Sequence, residues 1–247
     1  MHRMLAAVLV LWVAAAAWGA PAGVAVRGDA QAWEEVAAAQ ARLETVPSYR
    51  IRAAVAREAP IRMTMLTEVV NPDRRRVVVE LPEYTAEAII VGRQVASRQV
   101  SRTGQPAFPQ PSVGPGDLLG AFLDPIGFAT GFLVQAAMNA MTQAVAQRRT
   151  GWRCQTLEAG GGAQAPPELE VEVARLPQAS LGGAPVRVYR MVWRIPGQPA
   201  SEQRLSVGAD GLPRRLEWLQ DGKPMMTEEY GDFGAPIQIE LPPPCRQ

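Results

Sequence analysis

The chain has 247 residues, 47% of them hydrophobic, and its 25 basic and 24 acidic side chains leave a formal net charge of +1. That length suits one large or two small domains. The even charge offers no basic surface for a nucleic acid and no polybasic patch for an anionic membrane.

The N-terminus sets the compartment. His2 and Arg3 make a short basic start, MLAAVLVLWVAAAAW is an apolar core of signal-peptide length, and GAPAG supplies small residues for cleavage after Gly19 or Ala22. Residues 1–22 are read as a secretory signal peptide and 23–247 as one exported domain, soluble after cleavage and periplasmic or extracellular in a bacterial cell envelope. The competing reading is an uncleaved N-terminal anchor, since the run approaches the length of a bilayer span. No Cys follows the run, which excludes a bacterial lipoprotein modification there.

Asp29 can cap a helix whose apolar positions Trp33, Val36, Ala37 and Leu43 recur at helical spacing, and Pro47 ends it. Strands follow. In SYRIRAAVAR, Tyr49, Ile51, Ala53 and Val55 alternate with arginines; in IRMTMLTEVV, Ile61, Met63 and Met65 alternate with Arg62, Thr64 and Leu66. The turn Asn71-Pro72-Asp73 leads into RRRVVVEL, where Val77, Val79 and Leu81 share a face, and AEAIIVGRQVASRQV reads as a hairpin pivoting near Gly92. Such alternation describes an antiparallel sheet with one wet and one dry face. From Thr103 to Asp117 the chain is a Pro- and Gly-rich loop, and GGGAQAPP near 160–167 is a flexible link. Strands resume at LEVEVARL, VRVYRMVWRI, EQRLSVGA, PRRLEWLQ, MMTEEYGDF and IQIEL, with hairpin signals at Asp210-Gly211 and Asp221-Gly222.

Two cysteines are present, Cys154 and Cys245. In an exported protein a lone pair most simply forms one disulfide, here closing a loop of roughly 90 residues and contributing about 4 kcal/mol before strain. The rivals are two free thiols or a redox pair, the latter lacking its usual C-x-x-C spacing.

Catalytic patterns are absent. The one histidine, His2, leaves with the signal peptide, and no nucleophile elbow, P-loop or dinucleotide fingerprint occurs. The carboxylate pairs Glu34-Glu35 and Glu228-Glu229 are sequence neighbours and read as solvated surface charge. The chain is therefore expected to be no enzyme, with no cofactor and no metal.

Between the two runs of strands lies LLGAFLDPIGFATGFLVQAAMNAM, residues 118–141. Asp124, Pro125, Gln135 and Asn139 argue against a membrane span. Phe122, Phe128, Phe132, Leu133, Met138 and Met141 spread around more than one face, so this stretch reads as a helix buried on most sides, either a packed core element or the cover of an apolar pocket.

The strands NPDRRRVVVEL, the hairpin at AIIVG and the ending VGADGLPRRLEWLQDGKPMMTEEYGDFGAPIQIELPP resemble LolA/LprG-type periplasmic carriers of lipids and lipoproteins. The matching tail positions are Asp210, Gly211, Leu212, Pro213, Arg215, Gly222, Tyr230, Phe233 and Pro242. Where outer membrane lipoprotein carriers of the LolA type have an Arg before the Pro that precedes the third strand, this chain has Asn71. The resemblance implies an α+β fold: a curved, unclosed antiparallel half-barrel, with an N-terminal helix and the 103–150 insertion covering its concave face. It also implies space between them for acyl chains. The expected lining is Tyr49, Ile51, Met63, Met65, Val77 and Val79 from the sheet, with Phe122, Phe128, Phe132 and Met138 from the insertion. The partner is then a lipid or acylated ligand, with transient membrane contact; the alternative is an envelope protein-interaction or regulatory module with a filled core. A Cys154–Cys245 bond would anchor the exit of the insertion and leave Thr103–Asp117 as the moving end of a lid, or else merely secure a fraying terminus.

Overall fold

A computed structural model describes residues 24–56, 62–102, 151–156, 169–194, 196 and 200–246. The expected signal peptide and the 103–150 insertion, with Phe122, Phe128, Phe132 and Met138, lie outside the described residues. The chain divides into two compact units, Met1–Val46 with Glu158–Tyr230 and Pro47–Leu157 with Gly231–Gln247.

In the first unit, strand β1 (Val24–Gly28) leads into helix α1 (Ala30–Thr45). With strands numbered along the chain, the second unit holds β2 (Ser48–Val55), β3 (Thr64–Val70), β4 (Arg74–Glu80), β5 (Tyr84–Val91), β6 (Gln94–Ser101) and β7 (Arg153–Thr156). The rest of the first unit is β8 (Leu169–Leu181), β9 (Ala184–Arg194), β10 (Ser201–Val207), β11 (Pro213–Gln220) and β12 (Lys223–Gly231), the last ending at the unit boundary.

The first unit orders its strands β1-β8-β9-β10-β11-β12. β8 to β12 pair antiparallel as their alternation predicts, but β1 lies parallel to β8, in register Val24 with Leu169 and Gly28 with Val173. The sheet is therefore mixed, where the sequence suggested purely antiparallel strands. β1 is too short for a period-two signal, and its partner is far along the chain, so no hairpin turn dictates its direction.

Asp29 caps α1 as expected, its carboxylate accepting the Ala32 amide at 3.0 Å. The helix stops at Val46, whose extended backbone suits the residue before Pro47. Its buried stripe is Ala32, Val36, Ala39 and Leu43; Trp33 and Ala37, expected inward, are only half-buried. The two alanines let the helix lie close to the sheet, and Trp33 instead meets Trp193 edge-on at 6.2 Å between ring centroids. The step from β1 into α1 demands glycine: Gly28 has φ +83°, and a Cβ there would strike the Val173 carbonyl. Asp221 and Gly222, both at positive φ (50° and 74°), make the two-residue turn between β11 and β12. Asp210-Gly211 sits instead in a longer loop, where the Asp210 carboxylate accepts the Leu212 amide at 3.2 Å.

The second unit runs β2-β3-β4-β5-β6-β7 in sequence order, each neighbour antiparallel. Two features depart from the reading of the sequence. β7 is an additional four-residue strand, and IQIEL forms no strand. Residues 235–242 carry no ladder and end in a 3₁₀ turn at Pro243–Cys245. The chain crosses β4–β6 there as a strap, with Ile239, Leu241 and Cys245 buried against Ile89 and Ala96. Pro236, Pro242, Pro243 and Pro244 remove the amide donors a ladder needs. Alternation alone could not separate a strap from a strand.

Candidate functional site

Side chains alternate between the faces of a strand, so pairing register lines them up in rows across a sheet. In the second unit one row is Ile51, Thr67, Val77, Ala88 and Ser97. The next is Ala53, Met65, Val79, Ala86 and Gln99. A third is Tyr49, Val69, Arg75, Ile90 and Val95. The sheet-side residues expected to line a ligand site thus share one face. Val77 and Val79 are buried with Tyr84, Ala86, Ala88, Ile90 and Val95 in one apolar cluster, and half-buried Met63 and Met65 pack against it. Tyr49 and half-buried Ile51 stand on the same face outside that cluster, with Tyr49 against the Phe233 ring at 6.4 Å.

This dry face contains polar groups the sequence did not single out. Ser97 is 1% exposed and Gln99 8% exposed. The Ser97 hydroxyl and the Gln99 Nε2 are buried without a hydrogen-bond partner among the described residues. Arg75, a buried cation of the same face, donates to the carbonyls of Arg74 at 2.8 Å and Val70 at 3.4 Å, and to Asn71 Oδ1 at 3.2 Å. Asn71, the residue that departs from the carrier pattern, therefore holds an arginine from four positions along. Burial, with the Glu83 charge adding to it, pushes the Tyr84 hydroxyl up to about 12 and keeps it neutral.

The opposite face is a ladder of alternating charge. Arg50 Nε meets Glu68 at 2.8 Å, and Arg76 bridges Glu68 at 3.0 Å and Glu87 at 2.7 Å. Arg98 closes on Glu87 at 2.6 Å and lies over the Trp152 ring at 4.5 Å. Asp232 caps the other end, accepting from Arg52 at 2.7 Å and Arg50 at 3.2 Å. Burial pushes the Glu68 carboxyl up, but hydrogen bonds from Arg50 and Arg76 outweigh it and hold it below the ordinary glutamate value. Between this ladder and the strap lies a cleft of about 330 Å³, lined by Arg76, Glu87, Ile89, Gln238, Ile239 and Glu240.

The Cys154–Cys245 disulfide is formed, with a Cα–Cα distance of 5.2 Å. Cys154 pairs with Ala96 on the ladder side of the sheet, so the bond fastens the strap to β7 on the face opposite the expected lining. The moving end expected at Thr103–Asp117 lies outside the described residues.

The first unit corrects the reading of the carboxylate pairs as solvated. Glu35 accepts from Tyr189 Oη, Arg175 and Arg187, and so ties α1 to β8 and β9. The Tyr189 hydrogen bond, opposed by burial and aided by the two arginines, lowers the Glu35 carboxyl; burial and Glu35 together push the Tyr189 hydroxyl up to about 12. Glu228 is 6% exposed and accepts from Trp218 Nε1 at 3.1 Å and Tyr230 Oη at 3.0 Å. Glu35 adjoins the helix's buried stripe, and Glu228 shares strand parity with Met226 and Tyr230, so both turn inward. Their parity was readable; their partners, on distant strands, were not. Their neighbours behave as expected: Glu229 pairs with Arg215 at 2.9 Å on the surface, and Glu34 is exposed. Among the described residues, no helix is long and apolar enough to cross a membrane.

No protein-family model matches the chain, and neither does any curated protein. Solved structures do. The chain is similar to the crystal structure of LprF from Mycobacterium bovis, at 12% identity and a TM-score of 0.46, over 87% of this chain and 99% of that one. It is also similar to the crystal structure of MucB, at 13% identity and a TM-score of 0.42, over 89% of this chain and 66% of that one. A structure of MucB in complex with MucA(peri) gives 13% identity and a TM-score of 0.34, over 82% and 54% of the respective chains. The chain thus spans one half to two thirds of the MucB chains. At these identities the likeness carries no residue-by-residue correspondence.

Proposed function

We propose that the chain is an exported, non-enzymatic carrier or sensor that holds a lipid-like or acylated ligand against the dry face of the second unit. In this reading residues 1–22 are removed on export, 23–247 act as one LolA-like domain, and the apolar 118–141 stretch is the ligand's cover. The observation that carries it is the dry face itself: Met63, Met65, Val77 and Val79 join one apolar cluster spanning β3 to β6, with Tyr49 and Ile51 on the same face. Each buried methylene contributes roughly 0.8 kcal/mol, so one long acyl chain laid along such rows supplies ample affinity without a charged group.

Native mass spectrometry of the protein purified from its own host tests this. The expected result is a population heavier than the polypeptide by the mass of a lipid, with uptake of a fluorescent fatty acid after delipidation. A clean polypeptide mass together with no uptake overturns it and favours the filled-core interaction module.

A further inference from the structure

We infer that Ser97 and Gln99 are the polar anchor of this ligand site, a subsite for a neutral carbonyl oxygen of the kind an acyl ester or amide carries. The inference rests on the dry face being the ligand site, and adds which atom of the ligand the face holds.

Burying a polar group without a partner costs on the order of 1–3 kcal/mol, and folded proteins rarely keep such groups. This sheet shows the ability to pair them: on the opposite face Arg50, Glu68, Arg76, Glu87 and Arg98 satisfy one another across five strands. Yet on the dry face the Ser97 hydroxyl and the Gln99 Nε2, both in residues more than nine-tenths buried, have no partner among the described residues. They stand two residues apart on β6, so both side chains leave the same side of the strand, about 7 Å apart along it.

Their cross-strand neighbours are small. Ser97 faces Ala88 and Gln99 faces Ala86, where the flanking β5 positions on this face are the larger Ile90 and Tyr84. Two small side chains thus lie beside two spare donors, bordered by Val77 and Val79 on β4. The hydroxyl and the amide nitrogen both donate, which selects an oxygen acceptor. Arg75, on the same face, gives its Nη1 to Val70 and Arg74 and its Nη2 to Asn71. Two neutral donors suit a neutral carbonyl oxygen.

The test compares wild-type protein with a Ser97→Ala, Gln99→Met variant, both delipidated and full-length. Three probes of equal chain length displace a pyrene-labelled hydrocarbon: monopalmitin (ester), N-palmitoylethanolamine (amide) and hexadecane (no acceptor). The variant is expected to bind the carbonyl-bearing probes about tenfold more weakly and hexadecane unchanged. A loss confined to one probe identifies the ester or the amide as the natural linkage. The unliganded variant is expected to melt at or above the wild-type temperature, since it loses only unpaired groups. A lower melting temperature, or equal weakening for all three probes, overturns the anchor. Wild-type protein that binds all three probes, with a variant unchanged toward both carbonyl compounds, overturns the anchor and leaves the carrier reading standing. Wild-type protein that takes up no probe overturns both.

Discussion

The two faces of the second unit's sheet are built from the same strands and handle polar groups in opposite ways. On one, Glu68 and Glu87 each sit between two arginines, and Asp232 takes two more contacts at the end of the row. On the other, a hydroxyl and an amide nitrogen are buried beside two alanines without partners among the described residues. Because the backbone is shared, the difference lies in side-chain choice alone. A completed ladder fixes register and carries the strap; an incomplete polar row is a standing destabilisation that a bound molecule can remove.

The largest effect is expected where the strap is fastened. A Cys154→Ser, Cys245→Ser variant should lose about 4 kcal/mol of unfolding free energy, given a separation of 91 residues, measured by denaturant titration without reductant. Because the bond lies on the ladder side, ligand uptake should fall only in step with stability. Uptake lost well beyond that would mean the staple governs the dry face, and would break the comparison.

Next comes the ladder. Glu87→Gln leaves Arg76 and Arg98 facing one another without their shared carboxylate, and should cost about 2 kcal/mol. Ser97→Ala, equally buried on the other face, should shift stability by no more than about 1 kcal/mol and in the stabilising direction. Opposite signs at these two sites sharpen the distinction; losses of equal size at both would erase it.

Of the two faces of this sheet, acid acts on the ladder. The folded-state Glu68 carboxyl lies below its ordinary value of 4.5. The stability it contributes is therefore fully present above that value and is lost as pH falls through the lower folded value. Thermal melts should be level above about pH 5 and fall below it, and Glu68→Gln should flatten that fall. A Glu68→Gln melt that still tracks wild type would assign the acid limb elsewhere. Smallest of all is the exposed Arg102–Glu80 contact, 3.5 Å long with side chains about half accessible (48% and 54%). Arg102→Ala should change stability by less than about 0.5 kcal/mol in a melting experiment.

Much that depends on a few adjacent residues was legible without a structure. Asp29 as a helix cap, Pro47 as its end, the Gly92 pivot and the Asp221-Gly222 turn follow from local backbone chemistry. Period-two alternation likewise put Tyr49, Ile51, Met63, Met65, Val77 and Val79 on one side, and the lone cysteine pair identified its own bond. Tertiary structure decided everything that needed a distant partner. It set the parallel pairing of β1 with β8 and turned IQIEL from a strand into a strap. It buried Glu228 beneath Trp218 and Tyr230 and gave Glu35 to Tyr189, Arg175 and Arg187. It paired Glu68 and Glu87 while leaving the Ser97 hydroxyl and the Gln99 Nε2 without partners among the described residues. The reason is physical: alternation tells which side of a strand a residue occupies, whereas the groups waiting on that side come from chain segments tens of residues away, brought there by the burial of the whole sheet.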